Sequence, residues 1–474
     1  MEMTSSSLQK PRIVRDGAFY KMLFTLARPV TLQNIVVFLT QMLDTVMLGE
    51  LGEVAMSAAQ LANQPFFVFN LLTFGLGSGS MVLCSQYWGM RKAEPIKSIL
   101  TIIVRFSMGV GAIVMLLIFF FPAWFMRLFT PDPAVVETGV SYLKIICWSY
   151  LFFGFTNVYY TAIRSVEAVK VATISNLIAL VVNGCLNYVL IFGKFGAPAL
   201  GVQGVAIATL IARTIEFCIA IVYMLAVDKK LKLRLRDFMK FDKTLLRDLM
   251  KVSTPVMLNE LMWSLGVSMQ ASLLGQLGTM AVAANSIVSV VQQLSTVAVF
   301  GVANAASVIV GQAIGEGNMQ KARDRGYTFK LFSIVFGVVV SGIILLLRNV
   351  AVDFYNVAPE TKEVARQMMV VAAIVGFFVS ISGISIVGIM RGGGDTRFCL
   401  TIEMIALWAV AVPLAYFVAL VLKVPIPFVF LAMKVDEPVK AVICFIRMHG
   451  TKWMRNVTRR EIAVPLPASV GAQD

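Results

Sequence analysis

Apolar residues run through this chain in long blocks that charged residues interrupt only briefly. Asp, Glu, Lys and Arg are absent from 54–90, 106–126, 171–193, 261–315 and 367–390. A bilayer core about 30 Å thick takes roughly 20 apolar residues per helix, so several of these blocks can cross it, and the longest holds one helix and most of a second. With Gly, Pro and charge as punctuation, the pattern predicts twelve helices. Six fall in the first half, at 22–49, 54–83, 98–122, 135–160, 171–193 and 202–226. The other six are 248–275, 281–312, 328–348, 363–390, 398–422 and 424–446. The expected fold class is therefore an all-α integral membrane protein.

Composition agrees with the pattern. The 474 residues are 58% hydrophobic and 14% charged, against roughly 45–50% and about 25% in soluble chains. A net charge of +15 would suit a nucleic-acid partner if Lys and Arg formed one face with interleaved aromatics. They lie between apolar blocks instead, so no nucleic acid is expected, and membrane lipids are the expected partner of the basic loops. Of the 41 Lys and Arg, 31 fall on the side of the N-terminus and six on the opposite side. The excess places both termini in the cytoplasm. The first twenty residues carry no leader pattern, so the first helix is expected to direct insertion. Six cysteines occur singly, without the close pairing of metal sites, and are read as packing residues.

The chain also matches itself. Sliding it by 226 residues superposes 29–89 on 255–315 without a gap, with identity at 15 of 61 positions, among them Pro29 and Pro255, Gly49 and Gly275, Gly52 and Gly278, and Gln86 and Gln312. An offset of 227 brings Arg164 onto Arg391. Six helices per repeat make both halves enter the membrane in the same sense, the arrangement of parallel repeats that enclose a central cavity. The expected division is an arm at 1–21, an N-lobe at 22–226, a cytoplasmic linker at 227–247, a C-lobe at 248–446 and a basic tail at 447–474. The linker carries KKLKLRLRDFMKFDK, which reads equally as a solvated loop or an interfacial amphipathic segment.

Ionisable residues inside apolar helices are costly and mark function or a specific partner. Asp44, in LDTVMLGELG on the first helix, is the first candidate. Asn183 and Asn187 lie four apart on the fifth helix and share a face, and with Thr209 on the sixth they could supply oxygens to a small cation or share a proton with Asp44. The alternative is a carboxylate held by amides for packing alone. Glu260, in PVMLNELMW, is the buried acid of the second half, with a structural ion pair as its alternative. Asp395, in RGGGDTRF, stands just before the eleventh helix, where an N-cap role competes. Arg213 with Glu216, Lys434 with Glu437 and Asp436 with Lys440 have the spacing of pairs within one helix. No P-loop is present, so ATP-driven transport is not expected. Nor is there a nucleophile with its base, so an intramembrane hydrolase built on Asp44 and Glu260 is the weak reading and no enzyme is expected. A channel would differ by its far faster conductance.

Four segments in order, PVTLQN with DTVMLGELG, PVMLNE, GVANAASVIVGQAIGEGN and GIMRGGGDTRF, resemble the multidrug and toxic compound extrusion (MATE) transporters of the NorM-like bacterial branch, over residues 20 to 460. The resemblance implies two six-helix lobes arranged as a V. It also implies export of small amphiphilic or cationic compounds in exchange for sodium or protons. The chain itself is expected to be a monomer in the plasma (inner) membrane, and no cofactor is expected. Asp44 then matches the family's essential acid, and Asn183, Asn187 and Thr209 its polar partners, the set where sodium would bind. Some proton-coupled members carry a second acid where this chain has Asn187, a departure from a two-carboxylate mechanism. Glu260 and Asp395 match acids assigned to the C-lobe. A lipid-linked oligosaccharide flippase of the same superfamily is the second transporter reading, and it would be expected to show more basic residues in the cavity than Arg213.

Overall fold

The computed structural model describes residues 9–239, 242–355 and 357–459. Residues 1–8 of the expected arm, two linker positions at 240–241, position 356 and the tail beyond 459 lie outside the described residues. What is described is helical and arranges as twelve rods. In the first half these are α1 (Gly17–Gly49), α2 (Glu53–Gly89), α3 (Ala93–Phe120), α4 (Pro133–Ile146 and Ser149–Ile163), α5 (Lys170–Phe192) and α6 (Val202–Val227). The second half holds α7 (Lys243–Gln276), α8 (Thr279–Gly315), α9 (Met319–Phe354), α10 (Pro359–Met390), α11 (Thr396–Val421) and α12 (Ile426–Met433 and Asp436–His449). Nine of them are long and apolar enough to cross a bilayer as single rods. Of the other three, α4 and α12 are interrupted, and α7 opens on Lys243, Arg247, Asp248 and Lys251.

Local chemistry sets the ends and the breaks. Asp16 caps α1 by accepting from the Ala18 amide at 2.9 Å, and Asp242, 226 residues later, caps α7 by accepting from Thr244 and Leu245 at 2.8 and 3.1 Å. Such caps satisfy amide donors that the first helical turn leaves free. Gly52 and Gly278, matched in the repeat, enter α2 and α8 with φ of +98° and +104°, a conformation that favours glycine. The break in α12 at Lys434–Val435 has a cause four residues on: Pro438 has no N–H for the Lys434 carbonyl, which accepts from the Glu437 amide instead at 3.2 Å. Pro413 likewise follows a π-helical stretch at Met404–Ala411 in α11, and a second such stretch ends α10 at Ile384–Met390.

The repeat is visible in how the halves cross. A Cβ on Gly75 of α2 would come within 2.7 Å of Met257 Cα on α7, and one on Gly301 of α8 would run into Thr31 on α1. Met257 and Thr31 are themselves 226 apart. Nearer the other ends of α2 and α8, Gly89 meets the Gln312 backbone and Gly315 that of Gln86, again a matched exchange. The opening turns of α1 are buried with α8, α9 and α10 through Phe19, Leu23, Leu26 and Val30. Those of α7 pack into the first half through Leu245, Leu249 and Val252. Close backbone approach through small residues is how helices associate where no water drives them together.

The hydrogen bonds joining the halves gather at the end that carries both described termini. Arg164 donates to Asn304 at 3.2 Å and Gln312 to the Ser165 carbonyl at 3.1 Å. Past α12 the chain crosses back to the first half, where Gln86 donates to the Arg455 carbonyl at 3.1 Å and accepts from the Val457 amide at 2.9 Å. At the far end Gly49 and Gly275 have nothing within 4 Å of a built Cβ, and the two six-helix lobes diverge as a V. Leu231 and Leu233 of the linker are buried in the first lobe. Of the cysteines, Cys185 and Cys218 are exposed on the helix surface rather than packed inside, which corrects the reading of all six as packing residues.

Candidate functional site

Three helices of the first lobe converge on Asp44. Asn187 on α5 donates its amide to the carboxylate at 2.6 Å and to Asn183 Oδ1 at 3.2 Å, and Asn183 donates to the Thr209 hydroxyl on α6 at 3.2 Å. The four residues singled out in the sequence thus form one continuous chain. Both asparagines are buried, at 0 and 1% exposure, whereas Asp44 is half-buried. That gradient makes the carboxylate the more accessible end of the chain, with its amide partners buried behind it.

One atom in this chain is unsatisfied. Asn187 Oδ1 is fully buried and receives no hydrogen bond from any described residue. A buried amide oxygen without a donor is costly, and beside a carboxylate it wants a positive charge or a proton. A carboxylate, an amide oxygen and a hydroxyl are hard oxygen donors that fit a small monovalent cation. Asp44, Asn183, Asn187 and Thr209 would hold it.

The structure adds neighbours that the sequence reading missed. Tyr142 on α4, bonded to Asn63 at 3.4 Å, and Arg213 on α6 are both within electrostatic reach of Asp44. Arg213 pairs with Glu216 at 2.8 Å, as the spacing predicts, and lies over the ring of Phe153 at 4.8 Å. A further polar group, Asn157 with Thr73 at 2.8 Å and Asn70 at 3.4 Å, joins α4 to α2. Asn63, Asn70 and Asn157 each stand in an apolar helix, the same signal that selected Asn183.

The second lobe is built differently at the matched positions. Gln270 replaces Asp44, donating to the Met433 carbonyl at 2.7 Å and accepting from Lys434 at 3.2 Å. Glu260 is held by Arg391 at 2.8 Å, and Arg391 also donates to Asn259 at 2.6 Å. The structural ion pair is therefore what forms at Glu260. Its counterpart Arg164 donates to Gln33, the match of Asn259, at 3.0 Å, with Asn34 where the second lobe has its acid. Asp395 is fully buried between Arg447 at 2.8 Å and Arg455 at 3.3 Å. It precedes α11, but its side chain caps nothing. Glu260 and Asp395 stand in separate arginine pairs, so a cation there would have to displace a guanidinium.

Two matched bundles of six membrane helices, with a polar site inside one, define a multi-pass membrane protein. The MatE family profile matches residues 29–189 and 255–417, and the chain belongs to that family, whose members are transport proteins and not enzymes. The chain is 26% identical over 450 residues to the probable multidrug resistance protein NorM of Thermotoga maritima, covering 93% of this chain and 95% of that one. To the probable multidrug resistance protein YoeA of Bacillus subtilis it is 24% identical, over 94% and 95% of the two chains. Among solved structures, a MATE in complex with MaL6 superposes with a TM-score of 0.84 at 18% identity, over 92% and 97% of the chains. The outward-facing conformation of a multidrug resistance MATE family transporter superposes with a TM-score of 0.83 at 18% identity, over 93% and 99%.

Proposed function

We propose that this chain is a secondary exporter that moves small amphiphilic, cationic compounds out of the cell in exchange for an inward sodium ion or proton bound at Asp44. What carries the reading is the Asp44–Asn187–Asn183–Thr209 chain, with a half-buried carboxylate and a buried amide oxygen left without a donor. The names of the Thermotoga and Bacillus relatives support the substrate class.

The cation neutralises Asp44 and satisfies Asn187 Oδ1, which stabilises the conformation that closes around the site. A cationic substrate in the cavity between the lobes favours the conformation facing the opposite way. Each ligand shifts the population only by its difference in affinity between the two states. Because the two ligands favour opposite states, loading one expels the other, and exchange follows from reciprocity of coupling. The lobes rock about the crossing of α1 with α8 and α2 with α7. The membrane is the inner one, the termini lie in the cytoplasm, and a single copy holds the complete site.

Efflux of a fluorescent cationic dye from cells expressing this chain tests this, with the sodium and pH gradients varied separately. Wild-type efflux should require one gradient, and Asp44→Asn should reduce it to background. Full efflux by Asp44→Asn refutes the assignment of the site.

A further inference from the structure

The second lobe holds an ionic cluster for which export through Asp44 has no use. Lys440 on α12 is 3% exposed. Its ammonium lies 2.7 Å from Glu437, 2.8 Å from Asp436 and 3.5 Å from Glu403 of α11. Glu437 also accepts from the Ser382 hydroxyl of α10, so three helices meet here. One ammonium facing three carboxylates leaves two negative charges uncompensated, in side chains that are at most 13% exposed.

No neighbouring group among the described residues makes up the difference. Arg391 of α10 is within electrostatic reach of Glu403 but is engaged by Glu260 of α7 at 2.8 Å. Lys434, the other cation of α12, donates to Gln270. Among the described residues, the remaining titratable groups facing the cluster are the buried thiols Cys399 and Cys444. An unpaired buried carboxylate is strongly disfavoured, and in practice such a group takes up a proton.

Two atoms show where the ligand is wanted. Asp436 Oδ1 is buried without a hydrogen-bond donor from any described residue, and Glu403 Oε1, also buried, faces the Lys440 ammonium at 3.5 Å but accepts no hydrogen bond; their residues are 4 and 5% exposed. The place a metal ion would take, between the three carboxylates, is filled by the ammonium. A proton needs no such space, and it turns an oxygen lacking a donor into a donor. The helices are discontinuous at the same level. The break in α12 immediately precedes Asp436, and the π-helical stretches of α11 and α10 begin at Met404 and Ile384, beside Glu403 and Ser382. Such interruptions recur where helical membrane proteins bind ions.

We propose that Glu403, Asp436, Glu437 and Lys440 form a proton-binding site in the second lobe, which carries a proton on Glu403 when buried and exchanges it with water when the lobe opens. The step is protonation of a carboxylate by hydronium and its reversal, with no other bond changed. It rests on the membrane fold and not on the role of Asp44.

The test is infrared spectroscopy of the full chain reconstituted in liposomes, reading the carbonyl stretch of protonated carboxyl groups from acidic to alkaline pH. Wild type should show at neutral pH a band equal to one carboxyl that Glu403→Gln lacks, that Asp44→Asn keeps, and that sodium at fixed pH leaves unchanged. Lys440→Gln, which removes the ammonium and leaves the acids, should enlarge the protonated signal and provides a second reading if Glu403→Gln does not fold. Identical spectra for wild type and both cluster variants overturn the proposal, as does a band that sodium removes. Loss of dye efflux with the band intact would sink the export reading and leave this one standing.

Discussion

At one point of the repeat the first lobe has Asp44 and the second has Gln270, and the contrast extends to everything around them. Asp44 receives an amide from Asn187 and sits at the head of a polar chain. Gln270 is bonded to the Met433 carbonyl and to Lys434 at the break in α12. The arginines invert the pattern: Arg391 has the carboxylate of Glu260 for a partner, while Arg164 has, among the described residues, the neutral side chains of Gln33 and Asn304. Duplication has kept the backbone crossings, down to matched glycines and matched caps, and has let the charges change places. A scaffold held by backbone contact tolerates this, because packing at Gly75, Gly89, Gly301 and Gly315 does not depend on which lobe carries the acid.

Removing the two arginines should give the largest measurable difference between the lobes. Arg391→Gln strands the Glu260 carboxylate and should cost about 3–5 kcal/mol of stability. Arg164→Gln leaves only neutral acceptors and should cost about 1–3 kcal/mol. Thermal unfolding of the purified variants in detergent checks the order, and equal losses would mean that Glu260 does not depend on its arginine. A smaller effect is expected from Asn187→Asp, which sets a second carboxylate against Asp44. Two acids so close share a proton, so efflux should come to follow the pH gradient and lose about tenfold in sodium dependence, or about 1.4 kcal/mol. The gradient assay reads this directly.

The smallest expected difference lies in the matched caps. Asp242→Ala should cost about 0.5–2 kcal/mol, and more than Asp16→Ala, because Asp242 accepts from two amides and the Thr244 hydroxyl while Asp16 accepts from one amide. The Thr244 hydroxyl is also the main cause that holds the Asp242 carboxyl below its ordinary value. A depressed carboxyl contributes stability above its unfolded value and loses it as pH falls through the folded one. The penalty of Asp242→Ala should therefore be full at neutral pH and vanish in acid.

Much of this was legible in the sequence because it depends on short-range pattern. Twelve apolar spans, the matched glycines and the Asn183, Asn187 and Asp44 set all follow from periodicity and from the cost of polar groups in lipid. What escaped depends on where the rods meet. Spacing alone suggested Lys434 with Glu437 and Asp436 with Lys440. The second forms, but the interruption ahead of Pro438 turns Lys434 toward Gln270, and Glu437 joins Lys440 instead. Glu403 reaches that cluster from another helix, and Asp395 is claimed by Arg447 and Arg455 from beyond the eleventh helix rather than by its own amides. Tyr142 and Arg213 approach Asp44 only through the tertiary fold.

The central claim, that the first lobe alone carries the coupling cation for export, is tested most directly by cation release. Purified chain loaded with radioactive sodium, or with a pH-sensitive dye in weakly buffered solution, is mixed with a cationic substrate. Wild type and Glu260→Gln should each expel one cation as substrate binds, and Asp44→Asn should expel none. Release that survives in Asp44→Asn and is lost in Glu260→Gln would contradict the account and move the coupling site to the second lobe.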